Sequence, residues 1–305
     1  MPKFSTLLVH NPFGKLLSND DFSSACTKAG KNFLVNRLAN WNGVIYQDFE
    51  GKLSPDGGNV FIGTIDAVDQ LQEKPEASKK FQWFLGANDD VFDIDKIHHL
   101  DESFNNSRSS SIVTLRELRT AGISIFRNKG WTNVFIRPVS GWKPFESGVV
   151  SILVGLRLLE KLDLDESIPI LVGQDFSKIT NYEYRILVHN DGEALTPIIG
   201  GVYNYENDVI ALPSAPKGAY EFVSKLSKPL EGQLKGLPAL FYADVVEIYG
   251  HHSPHTLSTE IPKPVYKIME LSCIHTASPY AIPPKFIIEA IDAVMEGKKP
   301  RAWNS

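Results

Sequence analysis

At 305 residues, 43% hydrophobic and 22% charged, the chain is long enough for one large domain or two modest ones and has an ordinary globular composition. Its net charge of −5 argues against generic nucleic-acid binding, which leaves a basic footprint. The longest apolar run, VVSILVGLRLL from 149, is broken by Ser151 and Arg157 and falls far short of the roughly 20 residues of a membrane span.

The opening MPKFSTLLVHNPFGK lacks a long apolar core with a small-residue cleavage site and reads as a first strand, so a cytoplasmic location is expected. Short β-type runs follow at 6–9, 43–48, 60–63 and 81–85, with helical patterns at 22–38 and at 65–71, the latter with Thr64 as N-cap. Such alternation predicts an α/β half with a mainly parallel sheet. A further helix is expected over 110–129, where Leu115, Leu118, Ile123 and Phe126 form a broken apolar stripe.

From Trp131 the texture becomes strand, loop, strand, helix, strand: 134–136, 148–151, 153–162 and 169–172. Strands at 183–189 and 194–203 are joined through Asn190-Asp191-Gly192, a strong hairpin signal because these residues tolerate positive φ. A helix at 220–226, strands at 240–248 and 265–272, and a closing helix at 287–295 complete the chain, with the main domain boundary expected near 128. Cys26 and Cys273, far apart and without C-x-x-C spacing, suggest buried thiols, not a disulfide or a zinc cluster. The HHSPH run from 251 lacks a second ligand group at fixed spacing and reads as an exposed loop.

Two stretches carry chemistry. In VFIRPVSGWKPFESGVV, residues 134–150, Gly141 and Gly148 allow backbone amides close to an anion while Lys143 and Arg137 supply charge for phosphate oxygens. Solvated charges beside a turn would have the same local sequence. In LFYADVVEI and VYKIMELS, each β run carries an acid; alternation puts Glu270 and Ser272 on one side, and Asp244 on a neighbouring strand can join them as a hard-oxygen site for magnesium. A solvated acidic sheet face is the competing reading.

In this order the pieces resemble the ATP-grasp superfamily over roughly residues 130–283. IRPVSGWKPFESGVV is similar to its phosphate loop with flanking strands, ILVGQDF to the adenine-contacting hinge, and YADVVEIYG with KIMELSCIHTASPY to the paired magnesium strands. EYRILVHNDGEALTPIIGGVYN resembles the Glu-x-Arg hairpin of the R-two-K clade, found largely in bacteriophages and bacteria. The resemblance implies an α+β ATP-grasp domain at 129–305, with a small subdomain to about 175 and a large one from about 176, holding ATP between them. An N-terminal α/β pre-ATP-grasp domain would occupy 1–128.

It further implies ATP and Mg2+ as cofactors, and a carboxylate-amine or carboxylate-thiol ligase that joins small-molecule or peptide carboxylate and amine substrates, or a thiol, through an acyl phosphate and releases ADP and phosphate. Adenine would lie along Leu171, Val172, Gln174 and Phe176; Arg137 and Lys143 would hold phosphates; Asp244, Glu270 and Ser272 would hold the metal. Arg185 is the candidate for stabilising the transferred phosphoryl group, and Glu183, two residues earlier on the same strand face, would orient it or approach the ribose. For that pair the plain reading is a surface ion pair. Arg137 stands where many members have lysine, and Ser272 where asparagine is common. Two other readings are a nucleotide-binding module without ligase chemistry and a nucleic-acid-modifying nucleotidyl transferase, the latter disfavoured because the chain lacks a K-x-D-G run. A homodimer is the default assembly.

Overall fold

A computed structural model describes residues 4–11, 18–36, 51–55, 58–82, 110–139, 148–161, 163–174, 179–204, 209–211, 215–228, 230–249, 264–277, 279 and 281–302. The first part contains β1 (Thr6–His10), α1 (Asn19–Lys28), β2 (Asn32–Asn36), β3 (Asn59–Ile62), α2 (Ile65–Gln72) and α3 (Pro75–Ser78). Then come β4 (Ser110–Thr114), α4 (Leu115–Asn128), β5 (Asn133–Pro138), β6 (Gly148–Ser151), α5 (Ile152–Lys161) and β7 (Pro169–Gln174). The last part holds β8 (Ile179–Asn190), β9 (Leu195–Asn204), β10 (Val209–Ala211), α6 (Lys217–Lys225), β11 (Leu240–Tyr249), β12 (Pro264–Cys273) and α7 (Pro284–Met295). The chain divides into two compact units: Met1–Val91, Asn181–Val245 and Glu270–Ser305 form one, Phe92–Thr180 and Val246–Met269 the other.

In the first unit β2, β1 and β3 form a parallel sheet with β1 central. Side chains alternate across a strand, so Leu7, Val9, Val60 and Ile62 enter one core while Leu8 and Phe61 enter another. The second core is closed by Ala67, Val68 and Leu71 of α2. The first is closed by Phe22 and Cys26 of α1, by Ile287, Ile288 and Ile291 of α7, and by Leu187, Ile199, Leu240 and Tyr242 from a five-stranded sheet ordered β10-β9-β8-β11-β12. Each fully buried aliphatic side chain there contributes about 1.5–3 kcal/mol. The N-terminal strands and the strands around Arg185 therefore share one hydrophobic interior.

The second unit is built on the antiparallel sheet β4-β7-β5-β6. Its core gathers Leu115, Leu118, Phe126, Trp131, Val134, Ile136, Leu159, Ile170 and Val172 on the side of α4 and α5. Among the described residues no helix is long and apolar enough to cross a membrane.

Several expectations shift. The helix expected over 22–38 ends at Lys28, because Gly30 takes a positive φ of 68° and the β-prone Phe33, Leu34 and Val35 then pair with β1. The helix expected over 110–129 begins only at Leu115: Ser110–Thr114 is a strand, and Thr114 with Glu117 makes a capping box. Of the strand expected at 81–85 only a Phe81 bridge to Asn59 lies within the described residues. The 43–48 strand, Lys143, Phe176, Gly141, Trp142 and the HHSPH run lie outside them. The hairpin forms as expected, with Gly192 at φ 86° and its amide donating to Asn190 Oδ1 at 3.0 Å. Both cysteines are buried thiols outside any disulfide, and burial pushes the Cys26 thiol up to about 11.

Candidate active site

Arg185 lies on β8, whose hairpin with β9 sets it opposite Gly201, and Glu183 opposite Tyr203. The next strand on the other side is β11, which carries Asp244. Arg185 Nε donates to Asp244 Oδ1 at 2.7 Å and Nη2 to Oδ2 at 2.5 Å, a two-pronged grip between side chains only 7% and 1% exposed. The guanidinium carbon also sits 5.5 Å from the centre of the Tyr242 ring. Tyr242 is fully buried, and that burial pushes its phenol well above the ordinary range. Far from being a solvated surface pair, the carboxylate and guanidinium are withdrawn from water, where their attraction is stronger and their orientation fixed. Glu183, one alternation step from Arg185, is also buried.

Gly201 allows this packing. A Cβ there would lie 3.0 Å from the backbone nitrogens of Ala281 and Ile282, so a side chain at this position, paired with Arg185, would require that loop to give by a few tenths of an ångström.

On β12, Glu270 is half-buried and Ser272 buried; the strand is the outer neighbour of β11. In the second unit, Arg137 on β5 is buried and pairs in register with Leu171 on β7. These two lie on the face opposite the helix-side core, whereas the Val172 side chain enters that core. Leu171 and Val172 are flanked by β4 and β5 on both sides, so their backbone groups belong to the ladders. The β4 pairing runs only to Gly173, and Gln174 pairs with Val134 of β5. The side chain of Gln174 lies outside the described residues.

No protein-family model matches the sequence, and no curated protein matches it. Solved structures do. VanG D-Ala:D-Ser ligase from Enterococcus faecalis aligns over 97% of this chain and 99% of its own, with a TM-score of 0.54 at 13% identity. The D-alanine-D-alanine ligase from Coxiella burnetii aligns over 96% and 97%, with 0.54 at 10%. N5-carboxyaminoimidazole synthetase from Staphylococcus aureus, solved with ADP, aligns over 89% and 70%, with 0.52 at 10%. The chain has the ATP-grasp fold.

Within that fold the acidic strands can be tested for magnesium. Among the described residues no three His, Cys, Asp or Glu side chains gather into a metal cage. Magnesium does not need one, since it usually takes one or two carboxylates with waters and phosphates. Asp244 presents an oxygen to each prong of Arg185, and a carboxylate can accept at about four positions, two on each oxygen. Glu270 carries its own negative charge and Ser272 a hydroxyl, so the donor set fits a hard cation.

Two groups escaped the sequence reading. Glu247, a second acid in the run of β11, is buried. His10, Asn11 and Asn36 are buried at the carboxyl ends of β1 and β2, and His10 Nδ1 lies 3.1 Å from Thr64 Oγ1 just after β3. Thr64 consequently makes no side-chain cap to α2. The available signal was polar residues directly following apolar parallel strands, the edge where open α/β sheets bind ligands. His275, after β12, is also fully buried: its Nδ1–H donates to the Phe61 carbonyl at 2.6 Å, and the Gly63 amide donates to its own carbonyl at 2.7 Å. Burial pulls its pKa down to about 4, so the ring is a neutral pin between β3 and the end of β12.

Proposed function

We propose that the chain is an ATP- and magnesium-dependent ligase of the R-two-K type, joining a carboxylate to an amine and releasing ADP and phosphate. The observation supporting it most is the likeness, over nearly the full length of both chains, to ligases whose names describe joining D-alanine to D-alanine or D-serine. The adenine is assigned to Gln174 and Phe176 with Leu171 and Val172 behind them, and the phosphates to Arg137 and Lys143. Magnesium is assigned to Glu270, Asp244 and Ser272; when bound it would offset charge on the phosphate oxygens.

In the first step a carboxylate oxygen of the substrate bonds to the γ-phosphorus while the bond to the bridging β-phosphate oxygen breaks, and ADP leaves with that electron pair. In the second, the amine nitrogen attacks the acyl carbon, phosphate departs with its bonding electrons, and the amine loses a proton. Arg185 serves this chemistry as a fixed positive charge. Held by Asp244 and seated against Tyr242, it needs little reorganisation when charge develops nearby, which is the source of electrostatic catalysis. Glu183 is buried on the same strand face, one alternation step away.

The test is product analysis. Purified protein is incubated with magnesium, ATP and pools of D- and L-amino acids and polyamines, and ADP is resolved from AMP. Acceptor-dependent ADP is the expected result; AMP release would point to nucleotidyl transfer, and ATP binding without turnover in any pool to a binding module. Glu270→Gln and Lys143→Ala should each depress turnover at least tenfold by the usual cost of losing one transition-state contact. Unchanged ATP affinity and turnover in both would remove the assigned site.

A further inference from the structure

Arg137 reaches across 132 residues of sequence to donate from Nη1 to the backbone carbonyl of Met269 at 2.7 Å. Both residues belong to the second unit, and Met269 immediately precedes Glu270 on β12. The Met269 carbonyl and the Glu270 N–H form one planar amide that also contains the Glu270 Cα, so a hold on the oxygen restrains the peptide that carries Glu270. Among the described residues β12 is the outer strand of its sheet, with β11 as its one neighbour, so its backbone has ladder support from that side. A donor from β5 adds a second restraint at the peptide that leads into the acid.

We propose that Arg137 is a positioning residue for Glu270, gripping the Met269 carbonyl so that the metal-binding carboxylate is aimed before the cation arrives. The inference rests on the assignment of Glu270 to magnesium above. It also gives a physical reason for arginine at a position where a simple phosphate contact would be met by lysine. A guanidinium has five donors in a rigid plane; one can hold a carbonyl at a set angle while others face a phosphate. An ammonium is a rotatable point charge that serves one partner well and fixes neither. The burial of Arg137, and its place on the Leu171 face of β5 instead of in the helix-side core, keep the fork where this double duty is possible.

The experiment separates phosphate grip from metal aim. ADP affinity is measured by calorimetry in EDTA, and Mn2+ affinity by electron paramagnetic resonance at saturating ADP, for the wild type, Arg137→Lys, Arg137→Gln and Glu270→Gln. Losing a partner that orients a metal ligand typically costs 10- to 100-fold in metal affinity, so both Arg137 variants should bind Mn2+ about tenfold or more weakly. Arg137→Lys keeps the charge but not the fork, so its metal-free ADP affinity should fall by a smaller factor than its Mn2+ affinity. Arg137→Lys carries the test should the glutamine variant fail to fold. Wild-type Mn2+ affinity in Arg137→Lys, alongside weakened Mn2+ in Glu270→Gln, would overturn the positioning role and leave the metal site standing. Wild-type Mn2+ affinity in Glu270→Gln would overturn the metal assignment itself.

Discussion

Replacing Arg185 by methionine keeps most of the aliphatic stem and removes the two-pronged hold on Asp244. The carboxylate left behind is 1% exposed, and it loses donors at 2.7 and 2.5 Å. Breaking a buried pair from one side leaves a desolvated charge and costs about 3–5 kcal/mol, whereas replacing both partners by apolar groups is often close to neutral. Arg185→Met should therefore lower unfolding free energy by about 3 kcal/mol or more, and Arg185→Met/Asp244→Leu should recover most of it. Urea unfolding followed by far-ultraviolet circular dichroism, completed as a double-mutant cycle, measures the coupling. A loss under about 1 kcal/mol in the single variant, the value of a solvated surface pair, would refute the reasoning, and so would strict additivity in the double variant. The double variant should regain stability without regaining ATP turnover, which separates the structural from the chemical role of the pair.

For His275, the unfolded ring titrates near 6.5 and the folded one near about 4, so the unfolded chain binds more protons between these values. Its contribution is complete above pH about 6.5 and is lost as the pH falls from there towards about 4, to an extent of about 3 kcal/mol. His275→Gln should flatten that part of the stability–pH curve relative to wild type; an equal slope in both proteins between pH 7 and pH 5 would exclude the buried neutral ring as its source. Gly201→Ala drives a methyl against the backbone of Ala281 and Ile282 and should cost about 1–3 kcal/mol in urea unfolding. Full stability in that variant would mean the loop yields freely.

Local patterns revealed much of the architecture. Short runs of β-prone apolar residues marked β1, β3, β5 and β7, and Asp-Gly marked the β8–β9 turn, because strand composition and turn chemistry act over a few residues. The helix drawn over 22–38 failed where Gly30 allowed the chain to turn and β1 offered a partner to Phe33–Val35, a tertiary gain that outweighed helix propensity. The strand at 110–114 was absorbed into the following helix because Thr114 with Glu117 starts a helix that the apolar stripe alone could not date.

The site divides in the same way. The order of four motifs along the chain pointed to the ATP-grasp fold and to Arg185, and residue type marked Arg137, Asp244 and Glu270 as chemically capable. No local signal could show that Arg185 grips Asp244 across 59 residues, or that Arg137 holds the peptide before Glu270 across 132. Those contacts depend on which strands become neighbours and how deeply each side chain is buried, and neither is settled until the sheets close over a shared core. Residue chemistry is written one position at a time; the partner each charge meets, and the water it loses, are properties of the assembled fold.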